Sequence, residues 1–206
     1  MPSVPIAQPP HGFEQRRVLT SEIPKGRRYR RIYRSEFPDP LGYAKSPSRF
    51  SDPRALSDDD RFGVVYFNET STSCFLEAVL RDRRDGILGR ALLDEEDLTQ
   101  RSIATIEIVE TLSVLDLRGD APVRMGVPSE VVRGYDHRNA HLWAVAFHEH
   151  ASTLDGIVYP SRLDLSPNLA IYDRAIGKVR VLEVSPLIED PDMPYILERF
   201  DIALTS

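Results

Sequence analysis

Residues 61–82 read RFGVVYFNETSTSCFLEAVLRD. The β-branched and aromatic run from Phe62 to Phe67 has the composition of a strand. Asn68 to Ser73 is a polar turn with several residues able to cap a helix. From 73 to 82 the apolar residues Phe75, Leu76, Val79 and Leu80 fall at i, i+1, i+4 and i+5, which predicts an amphipathic helix. Two residues break the packing pattern. Tyr66 stands inside the apolar strand, and Glu77 stands between the apolar helix positions. Taken singly, Glu77 reads as a solvated residue at the edge of a helix face, as glutamates mostly are.

Outward from this stretch, strands and helices mix without strict alternation. Ile103 to Ile108 and Leu112 to Leu117 read as strands. Residues 128–134 open with Pro-Ser-Glu, a helix start. Residues 139–150 predict a helix with Leu142, Trp143, Ala146 and Phe147 on one face. DGIVYPSR (155–162) is a short strand ending at Pro160. Asn168 to Tyr172 and Lys178 to Val184 are two more, joined by a turn at Ala175 to Gly177, and residues 193–204 form a short terminal helix. This order predicts an α+β fold rather than a doubly wound sheet. RRYRRIYR (27–34) reads as a strand with Tyr29, Arg31 and Tyr33 on one side and Arg28, Arg30 and Arg34 on the other. The following SEFPDPLGYAKSPSRFSDPRALSDDD is too broken for a regular element, and a loop of that length is usually functional. Residues 1–20 are expected to form a proline-rich arm, mobile to about residue 15, ahead of one domain over 21–206.

The chain has 206 residues, 41% hydrophobic and 28% charged, with a net charge of −6. That suits a single packed domain. The acidic balance argues against nucleic acid or an anionic membrane as direct partner. No apolar run is long enough to span a bilayer. The start lacks the pattern of a secretory signal, and the single Cys74 excludes an intrachain disulfide or a multi-cysteine zinc site; a reducing, cytoplasmic setting is expected.

Phosphate-cradling glycine motifs and the G-x-S-x-G elbow are missing. His137 and His141 are four apart, with His148 and His150 on the next turns, but the spacing is not that of a zinc-binding H-E-x-x-H helix, so no metal is expected. Cys74 reads as a small residue filling a gap between helix and sheet. The acidic runs 58–60 and 94–97 read as solvated. The arginine strand leaves two readings open: an inward guanidinium forming an anion pocket suited to a diphosphate, or arginines pairing with surface carboxylates.

Five segments, in order, resemble the RES domain family, the toxins of bacterial toxin–antitoxin pairs. They are RRIYRSEFPDPLGY, SPSRFSDP, FGVVYFNETSTSCFLEAVLRD, HLWAVAFHEHASTLDGIVYPSRLD and NLAIYDRA. The resemblance implies an ADP-ribosyltransferase-like split β-sheet with flanking helices and NAD as substrate, its nicotinamide–ribose bond cleaved by hydrolysis or phosphorolysis. It assigns Arg31 and Arg49 to the diphosphate, with Arg30 and Arg34 as register alternatives to Arg31. It gives Tyr66 a stacking role, Glu77 the stabilisation of ribosyl charge, and Ser161, with Arg162 beside it, the orientation of the nicotinamide half or of Glu77. Arg31, Glu77 and Ser161 are thus the expected catalytic residues. It further implies an Xre-type helix-turn-helix antitoxin as partner, and it is compatible with a homodimer. Two other outcomes remain: transfer of ADP-ribose to a protein, and a non-catalytic module binding NAD or ADP-ribose. The residue two before Glu77 is Phe75, which disfavours the Glu-x-Glu pattern of arginine-directed transferases.

Overall fold

The stretch 61–82 folds as strand, turn and helix, and the rest of the chain is built around it in the computed structural model, which describes residues 8–43, 48–57 and 59–206. In chain order the strands are β1 (Thr20–Ile23), β2 (Arg28–Arg34), β3 (Val64–Asn68), β4 (Ala91–Asp94), β5 (Arg101–Ile108), β6 (Leu112–Asp116), β7 (Gly156–Pro160), β8 (Pro167–Tyr172), β9 (Val179–Pro186) and β10 (Ile202–Thr205). The α-helices are α1 (Ser71–Phe75), α2 (Glu96–Thr99), α3 (Ala121–Met125), α4 (Ser129–Arg133), α5 (Arg138–His148) and α6 (Met193–Arg199). The architecture is the expected α+β.

The main sheet has the order β1-β6-β7-β8-β3-β2-β5-β9, and β4 pairs with β10 in a separate parallel ribbon. The sheet is split at its middle. β2 pairs with β5 from Arg28 to Arg34, but it meets β3 at the single pair Arg30–Asn68. β3 in turn pairs with β8 along its whole length, Val64 opposite Tyr172 through Asn68 opposite Asn168. Beyond the one shared pair the two halves part, and the gap between them is where a cavity can form.

Three apolar clusters hold the halves. One side of the β6-β7-β8-β3 half packs on α4 and α5 through Trp143, Phe147, Tyr159 and Tyr172. The other side curls with residues of β2 and β5 around Val65, Phe67, Ile106, Val114 and Ile171. Ile32 and Ile103 of the β2–β5 half carry the helix that follows β3, through Phe75, Leu76, Val79 and Leu80. These are the four positions whose spacing predicted that helix. Burying each such side chain contributes about 1.5–3 kcal/mol, so the helix face is strongly held.

Several boundaries differ from the sequence reading. Residues 1–7 of the expected arm lie outside the described residues, but Phe13, inside its mobile part, is 2% exposed and packs edge-on against Trp143 at 5.0 Å. Two further ties hold the same segment: the Ala151 amide donates to the Glu14 carbonyl at 2.9 Å, and His150 Nε2 lies 2.9 Å from the Arg16 carbonyl. The end of the arm, Thr20, already pairs with Leu115 in β1. The terminal segment is a helix followed by β10, not a helix throughout. Strands β1, β4 and β10 have four residues each and owe their conformation to distant partners, which local composition does not show. In the acidic runs, Asp58 lies outside the described residues, and Asp97 is paired with Arg83 and Arg101 instead of solvated. Among the described residues no helix is long and apolar enough to cross a membrane.

Candidate active site

The helix carrying Glu77 starts with a cap: the Thr70 hydroxyl accepts from the Ser73 amide at 3.1 Å. After Phe75 the backbone widens into a π-helical turn, Leu76–Leu80, and then a 3-10 turn, Arg81–Arg84. Arg81 has φ of 36° and ψ of −118°, a positive-φ conformation that costs a non-glycine residue. Single π turns are frequent at functional sites. Here the widened turn keeps Leu76, Val79 and Leu80 in the core while Glu77, Ala78 and Arg81 border a cavity of about 330 Å³.

That cavity occupies the fork of the sheet. Arg31 and Ile32 line it from β2, and Tyr66, Phe67 and Asn68 from β3. Ser48 and Arg49, Tyr159, Arg162, Asn168 and His137 complete the wall. Of the residues expected at the site, Arg31, Arg49, Tyr66, Glu77 and Arg162 are thus brought together from four distant parts of the chain. Ser161 is not among the lining residues. It is fully buried, and its hydroxyl accepts from the amides of Leu163 at 3.0 Å and Asp164 at 3.4 Å. It shapes the turn that carries Arg162.

The register also decides among the arginines. Arg30 is committed to Asp190 and to Thr105 Oγ1. Arg34 is exposed beside Glu36 at 4.0 Å. Arg31 enters the cavity. Its Nη2 donates to the Gly42 carbonyl at 2.7 Å, whereas its Nη1 is buried with no hydrogen-bond partner among the described residues. The Gly42–Tyr43 segment is seated by Gly63, where an added Cβ would lie 2.1 Å from the Tyr43 ring. Arg49 Nη1 is likewise buried and unpartnered. Burial lowers the pKa of both guanidinium groups. Leaving a buried donor unmade costs about 1–3 kcal/mol. Arg31 and Arg49 both line the cavity, and two guanidinium groups there suit an anion, which accepts charge-assisted hydrogen bonds.

Tyr66 does more than present a ring. Its hydroxyl accepts from the Phe50 amide at 2.9 Å and is 2.9 Å from Ser48 Oγ. It therefore grips the residues on both sides of Arg49. His141 Nε2 lies 2.6 Å from the Ser48 carbonyl and adds a third tie. Residues 44–47, which include the Ser-Pro of the SPSR segment, lie outside the described residues.

Glu77 is fixed from below. Asn168 Nδ2 donates to Glu77 Oε1 at 3.0 Å, and Asn68 Nδ2 donates to Asn168 Oδ1. One carboxylate oxygen is occupied by this contact. Neither asparagine was singled out in the sequence; the signal that could have found them is a pair of buried-strand asparagines, which need partners. His137 was set aside with the other histidines, yet it lines the cavity. Burial, with Arg49, Arg81, His141 and Arg162 nearby, lowers its pKa from 6.5 to about 4, so it is neutral at pH 7. The histidines have separate tasks: His150 Nε2 meets the Arg16 carbonyl at 2.9 Å, and His148 stacks on Phe62 at 4.0 Å. Among the described residues no group of three or more metal-ligating side chains converges. Cys74 is buried against Asn68, and burial pushes its thiol up to about 12.

Fold and site together define an α+β protein whose split sheet holds an arginine-lined cavity around one fixed glutamate. The chain belongs to the RES domain family, whose model matches residues 22–197. It is similar to the "Probable toxin y4kH" of Sinorhizobium fredii (strain NBRC 101917 / NGR234), with 33% identity over 126 residues, covering 61% of this chain and 99% of that protein. The fold is similar to a chain in the crystal structure of the M. tuberculosis MbcT–MbcA toxin–antitoxin complex, with a TM-score of 0.61 and 16% identity over 87% of this chain and 91% of that one.

Proposed function

We propose that this protein is the toxin of a bacterial toxin–antitoxin pair and that it degrades NAD by cleaving the nicotinamide–ribose bond. The observation that carries this reading is one cavity bordered by Glu77, held at one oxygen by Asn168, and by the arginines Arg31 and Arg49. NAD has a diphosphate for the arginines and a ribose whose bond to a cationic leaving group is already weak. As nicotinamide departs, positive charge grows on the ribose. A carboxylate placed against that sugar stabilises the charge most in the transition state. Oε2 of Glu77 is the oxygen left for a ribose hydroxyl. Arg162, whose guanidinium stacks 4.9 Å from the Tyr135 ring centroid, and neutral His137 border the same space and suit the outer part of the dinucleotide. Water or phosphate completes the cleavage as acceptor.

The position two before Glu77, Phe75, is fully buried in the helix–sheet core. A second acidic group cannot reach the cavity from there, which weighs against arginine-directed ADP-ribosyl transfer. The partner expected on this reading is an Xre-type antitoxin that covers the cavity mouth.

The test is to incubate purified protein with NAD, with and without phosphate, and to follow NAD loss. Wild type consumes NAD. Glu77→Gln lowers turnover on the order of a hundred- to a thousandfold, the usual effect of removing one preorganised electrostatic contact. Arg31→Ala chiefly raises KM. If wild type, free of any bound antitoxin, leaves NAD intact under both conditions, the proposal is wrong.

A further inference from the structure

Four strands contribute to one row of polar residues beneath the cavity. Tyr159 of β7 is opposite Asn168 of β8, Asn168 is opposite Asn68 of β3, and Asn68 is opposite Arg30 of β2. This row crosses the sheet at the one pair that still joins its two halves. The helix lays Cys74 and Glu77 over it. The Cys74 thiol donates to the Arg30 carbonyl at 3.0 Å and approaches Asn68 Oδ1 at 3.3 Å. Asn68 donates to Asn168, and Asn168 donates to Glu77.

Resting on the NAD-cleavage reading, we propose that Asn68 and Asn168 are positioning residues, an amide relay whose polarity fixes Glu77 as an acceptor aimed into the cavity. The polarity follows from the Glu77 end of the chain of bonds. A carboxylate oxygen accepts, so Asn168 turns Nδ2 to Glu77 and Oδ1 to Asn68. Asn68 must then donate with Nδ2, which leaves its Oδ1 toward Cys74, whose single thiol proton is nearer the Arg30 carbonyl. Reversing either amide would set two donors, or two acceptors, against each other in a buried row. The relay holds Glu77 without bringing a second negative charge near it. A carboxylate at 168 would instead share a proton with Glu77.

The groups facing Glu77 leave that change legible. Arg31 from β2, Arg49 before Phe50, Arg81 beyond the π turn and Arg162 after β7 are cations throughout the working range. His137 is neutral above about 4. Cys74, Tyr66 and Tyr159 are held protonated by burial. None of them changes charge near neutral pH, so a new titration there belongs to the introduced carboxylate.

Three variants, Asn168→Asp, Asn168→Ala and Asn68→Ser, are compared with wild type for NAD turnover from about pH 5 to 9. Asn168→Ala and Asn68→Ser are expected to lower kcat about tenfold or more at every pH, with KM little changed. Asn168→Asp is expected to gain an alkaline limb. Below the upper pKa of the pair, one proton sits on the introduced carboxyl and is donated to Glu77; above it both ionise, repel, and activity falls. A carboxyl ¹³C NMR titration, with Glu77 assigned by its loss in Glu77→Gln, reads the same coupling without turnover: in Asn168→Asp, Glu77 titrates in two steps, the upper above its wild-type value. A folded Asn168→Asp with a wild-type Glu77 titration overturns the relay whether or not NAD is consumed. A shifted titration in a protein that leaves NAD untouched supports the relay and overturns the NAD reading. If the buried aspartate prevents folding, Asn68→Ser decides, and an unchanged kcat or, in a protein inactive on NAD, an unchanged Glu77 titration overturns the relay.

Discussion

Tyr66→Phe separates two roles for one side chain. A stacking role needs only the ring, which phenylalanine keeps. The structure gives the hydroxyl its own task, accepting from the Phe50 amide and meeting Ser48 Oγ, each at 2.9 Å. Phe50 is fully buried, so its amide loses its partner. That costs about 1–3 kcal/mol, and the Ser48 bond adds about 0.5–1.5 kcal/mol. Part of the loss is recovered as the segment relaxes, which leaves about 2 kcal/mol. For a chain of this size that lowers Tm by about 4–8 °C. Arg49 lies between the two released residues, so the substitution also loosens one of the two cationic contacts expected for the diphosphate. The assay is a thermal melt together with steady-state NAD kinetics. The expected result is a lower Tm, a KM raised severalfold and a kcat changed less than KM. A Tm within about 1 °C of wild type together with unchanged KM refutes the clamp.

Arg30→Ala tests the assignment of the strand arginines. It leaves the Asp190 carboxylate, whose side chain is fully buried, without its ion-pair partner. Removing one member of a buried pair costs about 3–5 kcal/mol. Arg30 is partly exposed, and Asp190 keeps a hydrogen bond from the Asp192 amide at 3.0 Å, so the lower end is expected in urea unfolding. NAD KM stays near wild type, and a large KM effect with full stability would instead place Arg30 at the substrate. His148 makes stability depend on pH. Burial, with Arg174 nearby, lowers its pKa from 6.5 to about 4, so between those values the unfolded chain binds more protons than the folded one. Stability therefore falls as pH drops through that window. Tm measured from pH 7 to pH 5 should show a shallower decline in His148→Phe, which keeps the stack on Phe62 and removes the titrating group. An identical slope in both proteins would contradict the assignment.

Much of the site was readable because its parts are local. Phe75, Leu76, Val79 and Leu80 repeat at helical spacing, and that repeat leaves Glu77 on the face away from the core. The alternation in RRYRRIYR put Tyr29, Arg31 and Tyr33 on one face, and Tyr29 and Tyr33 do join the curled core beside Arg31. Phe13 was misread because a single aromatic in a polar, proline-rich segment has no period, and its burial depends on Trp143 far along the chain.

The sequence by itself determined the strand–turn–helix unit and the α+β class, since these follow from side-chain periodicity. Only the tertiary structure decided which arginine enters the cavity, that Ser161 supports a turn instead of touching the cavity, that Tyr66 grips the Arg49 segment, and that two asparagines stand under Glu77. Those outcomes depend on the register between strands far apart in the chain, as for Asn68 opposite Asn168, which are separated by 100 positions. A shift of one residue there would send each side chain to the opposite face. Register is set by the summed packing of whole strands, and no short stretch of sequence contains that sum.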